Sequence, residues 1–273
     1  FQGAWLPKGG MVSITQGLES LAKSLGVQFK FEQTVTQIHH REGLIHKVCT
    51  QETEAEPHLT VSAIDVAALY PLLSPKLALP RRIEKADRST SALVFNWGIE
   101  GAFPELELHN IFFSDDYQKE FHQLENQSGA PDDSTIYIYI SSKKVEGDAP
   151  KGHENWFTMI NLPGDKPLSR EAQDQARKSI LQKLERILNR PVESKIRAEW
   201  ILNPQGIADR TGSPDGALYG SASNQRMAAF SRHPNFLRQF KNLYFTGGSV
   251  HPGGGIPLCL NSAAIAANEI PDA

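Results

Sequence analysis

Apolar and polar residues alternate along this chain with two periods, one typical of helices and one typical of strands. From Met11 to Leu25 the apolar residues recur at spacings of three and four, which predicts a helix with one apolar face. Gly26 is placed to end that helix. Asp65 fits the N-cap of a later, short helix that reaches Leu72. Between the two helices, β-prone runs predict strands over residues 27–31, 34–38, 44–49 and 59–62.

From about Ser74 the pattern changes to runs rich in aromatic and β-branched residues. These runs predict strands over residues 91–98, 135–140, 156–160 and 196–202. A long helix follows Ser169, which is a good N-cap, and its apolar stripe ends before Pro191. Residues 206–220 contain four glycines and a proline and predict a loop. Because loops and helices separate the strands, a mainly antiparallel sheet covered by helices is favoured over a βαβ series.

The last strand-like run, Leu243 to Thr246, leads into a turn with five glycines among the nine residues 247–255. Each glycine costs conformational entropy when the chain folds. So many in one turn therefore indicate that the backbone there must approach another group closely. Ile256 and Pro257 then open a helix, and the free N–H groups at its start favour a polar or anionic group in the turn. From the residues alone, ligand binding and a tight structural turn are equally good interpretations.

The amino-acid sequence of this turn resembles a known flavin-binding motif. Residues 247–258 read G-G-S-V-H-P-G-G-G-I-P-L. They resemble the C-terminal motif of carotenoid desaturases of the bacterial phytoene desaturase type, which belong to the flavin-dependent amine oxidase superfamily. The family pattern is roughly G-A-G-T-H-P-G-A-G-I-P followed by glycine, so Leu258 departs from it. Residues 3–11, G-A-W-L-P-K-G-G-M, are similar to the family's G-x-W-x-P-x-G-G-M segment.

The resemblance implies a set of contact residues. Flavin contacts fall on Val35, Gly247, Gly248, Ser249, Gly255, Ile256, Pro257 and Leu258. Contacts to an apolar substrate channel fall on Trp5, Tyr219 and Phe230. Without the resemblance, Val35 is an ordinary half-buried strand residue and Tyr219 is one packed tyrosine in a surface loop. His251 is expected to fix the turn rather than to act as an acid or base.

The sequence lacks the G-x-G-x-x-G turn that a dinucleotide-binding βαβ unit needs. We therefore expect the chain to be the C-terminal part of a longer flavoprotein. The expected fold is α+β or α/β: part of an FAD-binding Rossmann-type domain and a substrate domain with a mainly antiparallel sheet covered by helices. Residues 1–73 and 237–273 are assigned to the FAD-binding part and residues 74–236 to the substrate-binding domain.

Composition narrows the class of protein only a little. A formal net charge of −3, without a basic stripe, gives no reason to expect nucleic acid. No apolar run reaches the length of a membrane-spanning helix. Cys49 and Cys259 stand far apart, which fits a reducing compartment and no structural metal. The expected location is cytoplasmic, either free or peripheral at the inner face of a membrane.

The resemblance implies an FAD-dependent oxidoreductase that removes two hydrogens from a C–C bond of a long, hydrophobic isoprenoid, with hydride passing to the flavin. Such a substrate dissolves in lipid, so contact with a membrane surface is also implied. Two alternatives stay open. One is another flavoenzyme of the superfamily, such as an amine oxidase or a retinol saturase. The other is a catalytically silent substrate-binding module. Neither a catalytic acid or base nor an oligomeric state follows from the sequence.

Overall fold

The computed structural model describes residues 5–164, 167–222 and 232–271. In this part of the chain the helices are α1 Val12–Ser24, α2 Val66–Leu69, α3 Arg81–Glu84, α4 Tyr117–Asn126, α5 Arg170–Leu188, α6 Pro204–Thr211 and α7 Ile256–Glu269. The strands are β1 Val35–Arg41, β2 Leu44–Thr50, β3 Glu54–Ala55, β4 Thr60–Ser62, β5 Leu73–Ser74, β6 Ser91–Ile99, β7 His109–Phe112, β8 Ile136–Tyr139, β9 Glu154–Leu162, β10 Ile196–Leu202 and β11 Leu243–Phe245.

Five of the strands form one antiparallel sheet in the order β10-β6-β9-β8-β7. Every second residue of β6 and β9 points to one face, where Phe95, Trp97 and Trp156 are buried. Helix α5 covers this face with Ile180 and Leu184, and together these residues form the largest core. The predicted antiparallel sheet with a covering helix is therefore confirmed.

A second core lies under two smaller sheets. One sheet has the order β3-β2-β1-β5, and the other pairs β11 with β4 in parallel. Ile38 of β1, Leu69 of α2 and Phe245 of β11 meet in this core, together with Val250. Asn242 links the two sheets because its amide donates to the Ile45 carbonyl and its Oδ1 accepts from the Ile45 N–H. The segment before the glycine turn is thereby anchored to β2.

The helices predicted around Ser169, Asp65 and Ile256 are present, and the first two caps are confirmed. The Ser169 hydroxyl accepts from the Ala172 N–H at 3.1 Å, and the Asp65 carboxylate accepts from the Ala67 N–H at 2.8 Å. The predicted helix after Met11 is also present as α1, but none of its residues is buried. Its apolar face, with Leu18 and Leu21 more than half exposed, therefore lies on the surface of this chain.

Two element predictions were wrong. Residues 27–31 pair with no strand of the described chain, and Phe29 and Phe31 instead stack at 5.6 Å between ring centroids on the surface. The predicted loop 206–220 begins inside helix α6. That helix starts after Asn203, whose side chain accepts from the Gly206 N–H, and ends at Gly212 with φ +67°. An interior glycine, Gly206, concealed the helix in the sequence.

No helix in the three described ranges is long and apolar enough to cross a membrane.

Candidate functional site

The glycine-rich turn, residues 247–255, connects β11 to α7. Gly247 has φ +103°, and a Cβ there would lie 3.2 Å from the Ala63 carbonyl oxygen. Gly255 has φ +97°, but a Cβ there would meet no atom within 4 Å. Both backbones favour glycine for their positive φ, yet they differ in what surrounds them. Gly247 faces protein, whereas Gly255 faces open space.

Hydrogen bonds hold this turn against its neighbours. The Ser249 hydroxyl accepts from the Val66 N–H at 3.1 Å, which ties the turn to α2. The His251 N–H donates to the His233 carbonyl at 2.9 Å, and the His251 carbonyl accepts from the Asn235 amide at 3.0 Å. These contacts hold residues 249–251 of the turn against their neighbours. A structural role for His251 agrees with these contacts and stays a prediction.

A buried histidine and tyrosine lie behind the turn. His233 is fully buried, its Nε2 lies 2.9 Å from the Tyr70 hydroxyl, and its Nδ1 lies 2.7 Å from the Pro234 carbonyl. Because a carbonyl only accepts, Nδ1 bears the proton and Nε2 accepts from Tyr70. Burial lowers the pKa of His233 to about 4 and raises the pKa of Tyr70 to about 12. Both groups are therefore neutral at pH 7.

Arg232 joins the glycine-rich turn to the segment 219–221. Its side chain is buried, and its Nη1 donates to the carbonyl oxygens of Tyr219 and Gly248, each at 2.8 Å. Its Nη2 donates to the Ser221 carbonyl at 3.2 Å. Burial lowers the pKa of the Arg232 guanidinium, and the nearby Asp65 carboxylate acts in the opposite direction. One side chain thus fixes the distance between two backbone segments.

Tyr219 packs directly on the turn. A Cβ at Gly254 would lie 2.1 Å from Tyr219 Cδ1, so only glycine leaves room for the ring. The Tyr219 N–H donates to the Ser89 hydroxyl at 2.9 Å, which fixes the backbone beneath the ring. The next residue, Gly220, also needs to be glycine because a Cβ would lie 2.9 Å from the Ser249 Cβ.

A buried carboxylate lies below these segments. Asp65 caps α2, and its Oδ2 lies 3.6 Å from Arg88 Nη1. The two side chains are 6% and 17% exposed, so water screens the pair less than it would at the surface. Two arginines, Arg88 and Arg232, therefore accompany one carboxylate beside the turn.

A cavity of about 950 Å³ extends from the glycine-rich turn to the end of α4 and the start of β6. Its described walls are Asp87, Arg88, Ser89, Thr90, Phe121, Leu124, Glu125, Asn126, Asn161, Pro163, Gly164, Tyr219, Ala222, Arg232, Pro252, Gly253, Gly254 and Leu258. Its size is that of a cleft that takes a sizeable organic ligand. The cavity thus connects the turn to the five-stranded sheet.

The structure brings only some of the predicted flavin contacts together. Gly247, Gly248 and Ser249 lie in the fixed half of the turn, and Leu258 lines the cavity. Gly255, Ile256 and Pro257 are exposed at the start of α7. Val35 lies elsewhere, as the first residue of β1 paired with Thr50, although it packs against the core that holds Phe245. Contact of these residues with a flavin stays a prediction.

The predicted substrate contacts divide similarly. Tyr219 lines the cavity. Trp5 is 80% exposed and is not among the described wall residues. Phe230 lies outside the described residues. Of the two that lie in the described chain, Tyr219 is the one at the cavity, and its contact with a substrate stays a prediction.

The residues present fit a planar, polar group at the turn. The open space at Gly255 leaves the backbone accessible, and the amides at the start of α7 lack intrahelical acceptors. Cys259 N–H is the first to be satisfied within the helix, by the Gly255 carbonyl at 2.9 Å. The N–H groups of Ile256 and Leu258 are thus suited to donate to the carbonyl oxygens of a flavin ring.

A helix-covered antiparallel sheet, a second core with a glycine-rich strand-turn-helix and a cavity beside that turn agree with an α+β fold of the FAD-binding type. The chain belongs to the family of flavin-containing amine oxidoreductases, whose family model matches residues 1–271. The family resemblance predicted from the turn is confirmed.

Individual relatives refine this assignment. The chain is 47% identical over 271 residues, 99% of its length, to a 1-hydroxycarotenoid 3,4-desaturase of Flavobacterium sp. (strain P99-3), of which it spans 56%. It is 30% identical to a 4,4'-diapolycopene oxygenase of Methylomonas sp., and the matched region is 98% of this chain and 55% of that relative. The chain thus spans about half the length of these relatives. The solved structure of an oxidoreductase from Methanosarcina mazei superposes on 97% of this chain and on 54% of the oxidoreductase's own chain, with a TM-score of 0.60. Because the two sequences are only 13% identical, this likeness supports the fold alone.

Several wall residues were missed by sequence reasoning. Phe121 and Leu124 sit on α4, which was not predicted. Thr90 and Asn161 both line the cavity because β6, which begins just after Thr90, pairs with β9. No sequence pattern predicts that pairing. Arg232 was also not predicted as a site residue, and no local pattern indicates the three carbonyls to which it donates.

Proposed function

We propose that this chain is part of an FAD-dependent oxidoreductase that desaturates a C–C bond of a carotenoid-type isoprenoid. The observation that supports this most is the cavity, one wall of which is the glycine-rich turn and another the end of α4. The turn exposes backbone for a flavin, and the cavity adjoins it with room for part of a long chain. The domain division 1–73, 74–236 and 237–273 belongs to the same proposal.

In this proposal the start of α7 and the exposed part of the turn would hold the flavin ring, and Gly255 is the turn residue at which a Cβ would meet no atom within 4 Å. A flavin bound there would supply the two-electron oxidant that desaturation needs, with one hydrogen of the C–C bond taken up as a hydride and the other released to water as a proton. Arg232 keeps the turn and Tyr219 at a fixed separation, so the reacting bond is oriented by packing. Phe121 and Leu124 provide apolar surface for the hydrocarbon.

The substrate class is proposed from the name of the Flavobacterium relative. That protein is named for a carotenoid with a hydroxyl at carbon 1 and for a new double bond at carbons 3 and 4. At 47% identity, a hydroxylated carotenoid is our first choice of substrate for this chain as well. Carotenoids dissolve in lipid, so we propose that the protein meets its substrate at the cytoplasmic face of a membrane.

The test uses the complete gene product that carries this chain. The purified protein is expected to show flavin absorption bands and to release FAD on denaturation. Incubated with a 1-hydroxylated carotenoid, it is expected to yield a product that absorbs at longer wavelength, because each new double bond extends the conjugated chain.

Three results would contradict the proposal. A protein that stays colourless after soaking in FAD would favour the silent module, and oxidation of amines without any change in carotenoids would favour an amine oxidase. A product with added oxygen would instead match the activity for which the Methylomonas relative is named.

A further inference from the structure

Two neutral polar side chains share one surface inside the cavity. Ala92 of β6 pairs with Asn161 of β9, and Thr90 precedes Ala92 by two residues. Thr90 lies just before β6 and Asn161 lies on β9 opposite Ala92, so the pairing of these two strands brings both residues to one wall of the cavity. Both line the cavity and both are partly buried.

Within the described chain neither side chain has a hydrogen-bond partner. The Thr90 carbonyl accepts from the Leu218 N–H at 3.2 Å, but this contact leaves its hydroxyl unused. Asn161 contributes its amide to no side-chain hydrogen bond with a described residue. Both side chains are therefore available to a ligand in the cavity. An amide and a hydroxyl side by side can together donate to and accept from a single alcohol group.

Their position relative to the glycine-rich turn is set by a short chain of contacts. Thr90 follows Ser89, whose hydroxyl accepts from the Tyr219 N–H, and Tyr219 packs on Gly254. In a substrate with a hydroxyl at carbon 1 that is oxidised at carbon 3, three bonds of about 1.5 Å separate the oxygen from the reacting carbon. Such a hydroxyl must therefore bind in the part of the cavity next to the turn.

We propose that Thr90 and Asn161 form a hydroxyl-recognition site that selects isoprenoids with an alcohol near the bond to be desaturated. This inference rests on the proposed function and adds the groups that set substrate preference. The wall carboxylates, Asp87 and Glu125, are exposed, and desolvating a neutral amide and hydroxyl costs less than desolvating a carboxylate. Phe121, on the apolar part of the wall, suits the hydrocarbon that follows.

The experiment compares a 1-hydroxylated polyene with the same polyene lacking the hydroxyl. The complete gene product is prepared as wild type and as the variants Thr90→Val, Asn161→Leu and the double variant. Asn96→Leu is the control. Asn96 lies on the face of β6 that also bears Ala92, is partly buried, and is not among the described wall residues. Preference is measured twice, as a ratio of kcat/KM values and as a ratio of binding constants from the shift in polyene absorption.

Each lost hydrogen bond is expected to lower the preference for the hydroxylated polyene about fivefold, and the double variant about thirtyfold. Affinity for the polyene without a hydroxyl should be unchanged or higher, and Asn96→Leu should retain the wild-type preference. If Asn161→Leu does not fold, Thr90→Val, which keeps the shape of threonine, decides the question alone.

The inference is overturned if the wild type binds both polyenes equally, or if its preference survives in the double variant. These results differ from a failure of the proposed function, in which neither polyene is oxidised. In that case the binding ratios still decide whether Thr90 and Asn161 recognise the hydroxyl.

Discussion

Replacing Arg232 by methionine tests how the glycine-rich turn is held. Methionine keeps much of the volume of the buried side chain but leaves the carbonyls of Tyr219, Gly248 and Ser221 without this donor. Hydrogen bonds from a charged donor contribute about 1.5–3 kcal/mol each, and the 3.2 Å contact contributes least. Removing a buried charge also removes its desolvation cost, which lowers the sum. We expect Arg232→Met to lose about 3 kcal/mol of unfolding free energy.

The assay is urea unfolding followed by tryptophan fluorescence, with two further variants. Arg232→Lys places one ammonium where the guanidinium spans three carbonyls, so about half of the loss is expected. Arg238→Met is the matched control, because Arg238 is exposed in the same segment and its replacement should change stability by about 0.5 kcal/mol or less. The reasoning is refuted if Arg232→Met and Arg238→Met are equally stable.

Two further predictions follow from the packing around the turn. In the unfolded chain His233 is protonated near its ordinary pKa of 6.5, but in the folded protein only near 4, so the unfolded state binds more protons between these values. Stability should therefore fall by up to about 3 kcal/mol as the pH is lowered from 6.5 to 4. Urea unfolding across this pH range should show that the free energy of unfolding falls less steeply in His233→Gln than in the wild type. Equal slopes in the two proteins would contradict the low pKa of His233. Gly254→Ala should cost about 1–3 kcal/mol because its Cβ would overlap the Tyr219 ring. In a Tyr219→Ala background most of that cost should disappear in thermal unfolding, and an unchanged cost would exclude the clash as its cause.

The elements that could be predicted from sequence are those with local signals. Ser169 and Asp65 cap helices through residues two or three positions away, so the signal and the structure lie together. The glycine-rich turn and the proline that opens α7 are equally local. These features led to the family and to the position of the candidate site.

Other elements depend on distant partners or on buried polar groups. Helix α4 was missed because its buried side includes Glu120 and Gln123, which break the apolar period. Glu120 is satisfied by the N–H and hydroxyl of Thr135, nine residues beyond the end of the helix. The strand predicted at residues 27–31 was wrong for the opposite reason. Its apolar pattern suits a strand, but no strand of the described chain pairs with these residues.

The candidate site shows the same division. Tyr219 was among the substrate contacts that the family resemblance implies, whereas the space its ring fills depends on Gly254, thirty-five residues later. Thr90 and Asn161 are about seventy residues apart, and they line one cavity because β6, which begins just after Thr90, pairs with β9. No local pattern encodes that register.

The central claim is that the turn around Gly255 approaches a flavin, and one pair of substitutions tests it most directly. Gly255 and Gly147 have φ of +97° and +94°, both are exposed, and a Cβ at either would meet no atom within 4 Å. Alanine at either position should therefore cost a similar strain of about 1–3 kcal/mol. FAD binding to the complete gene product is then measured by titration of flavin fluorescence.

We predict that Gly255→Ala weakens FAD binding at least about tenfold, whereas Gly147→Ala leaves it unchanged at matched stability. The reason is that the added methyl occupies the space assigned to the flavin only at Gly255. Equal FAD affinity in the two variants would contradict the assignment of the glycine-rich turn as the flavin site.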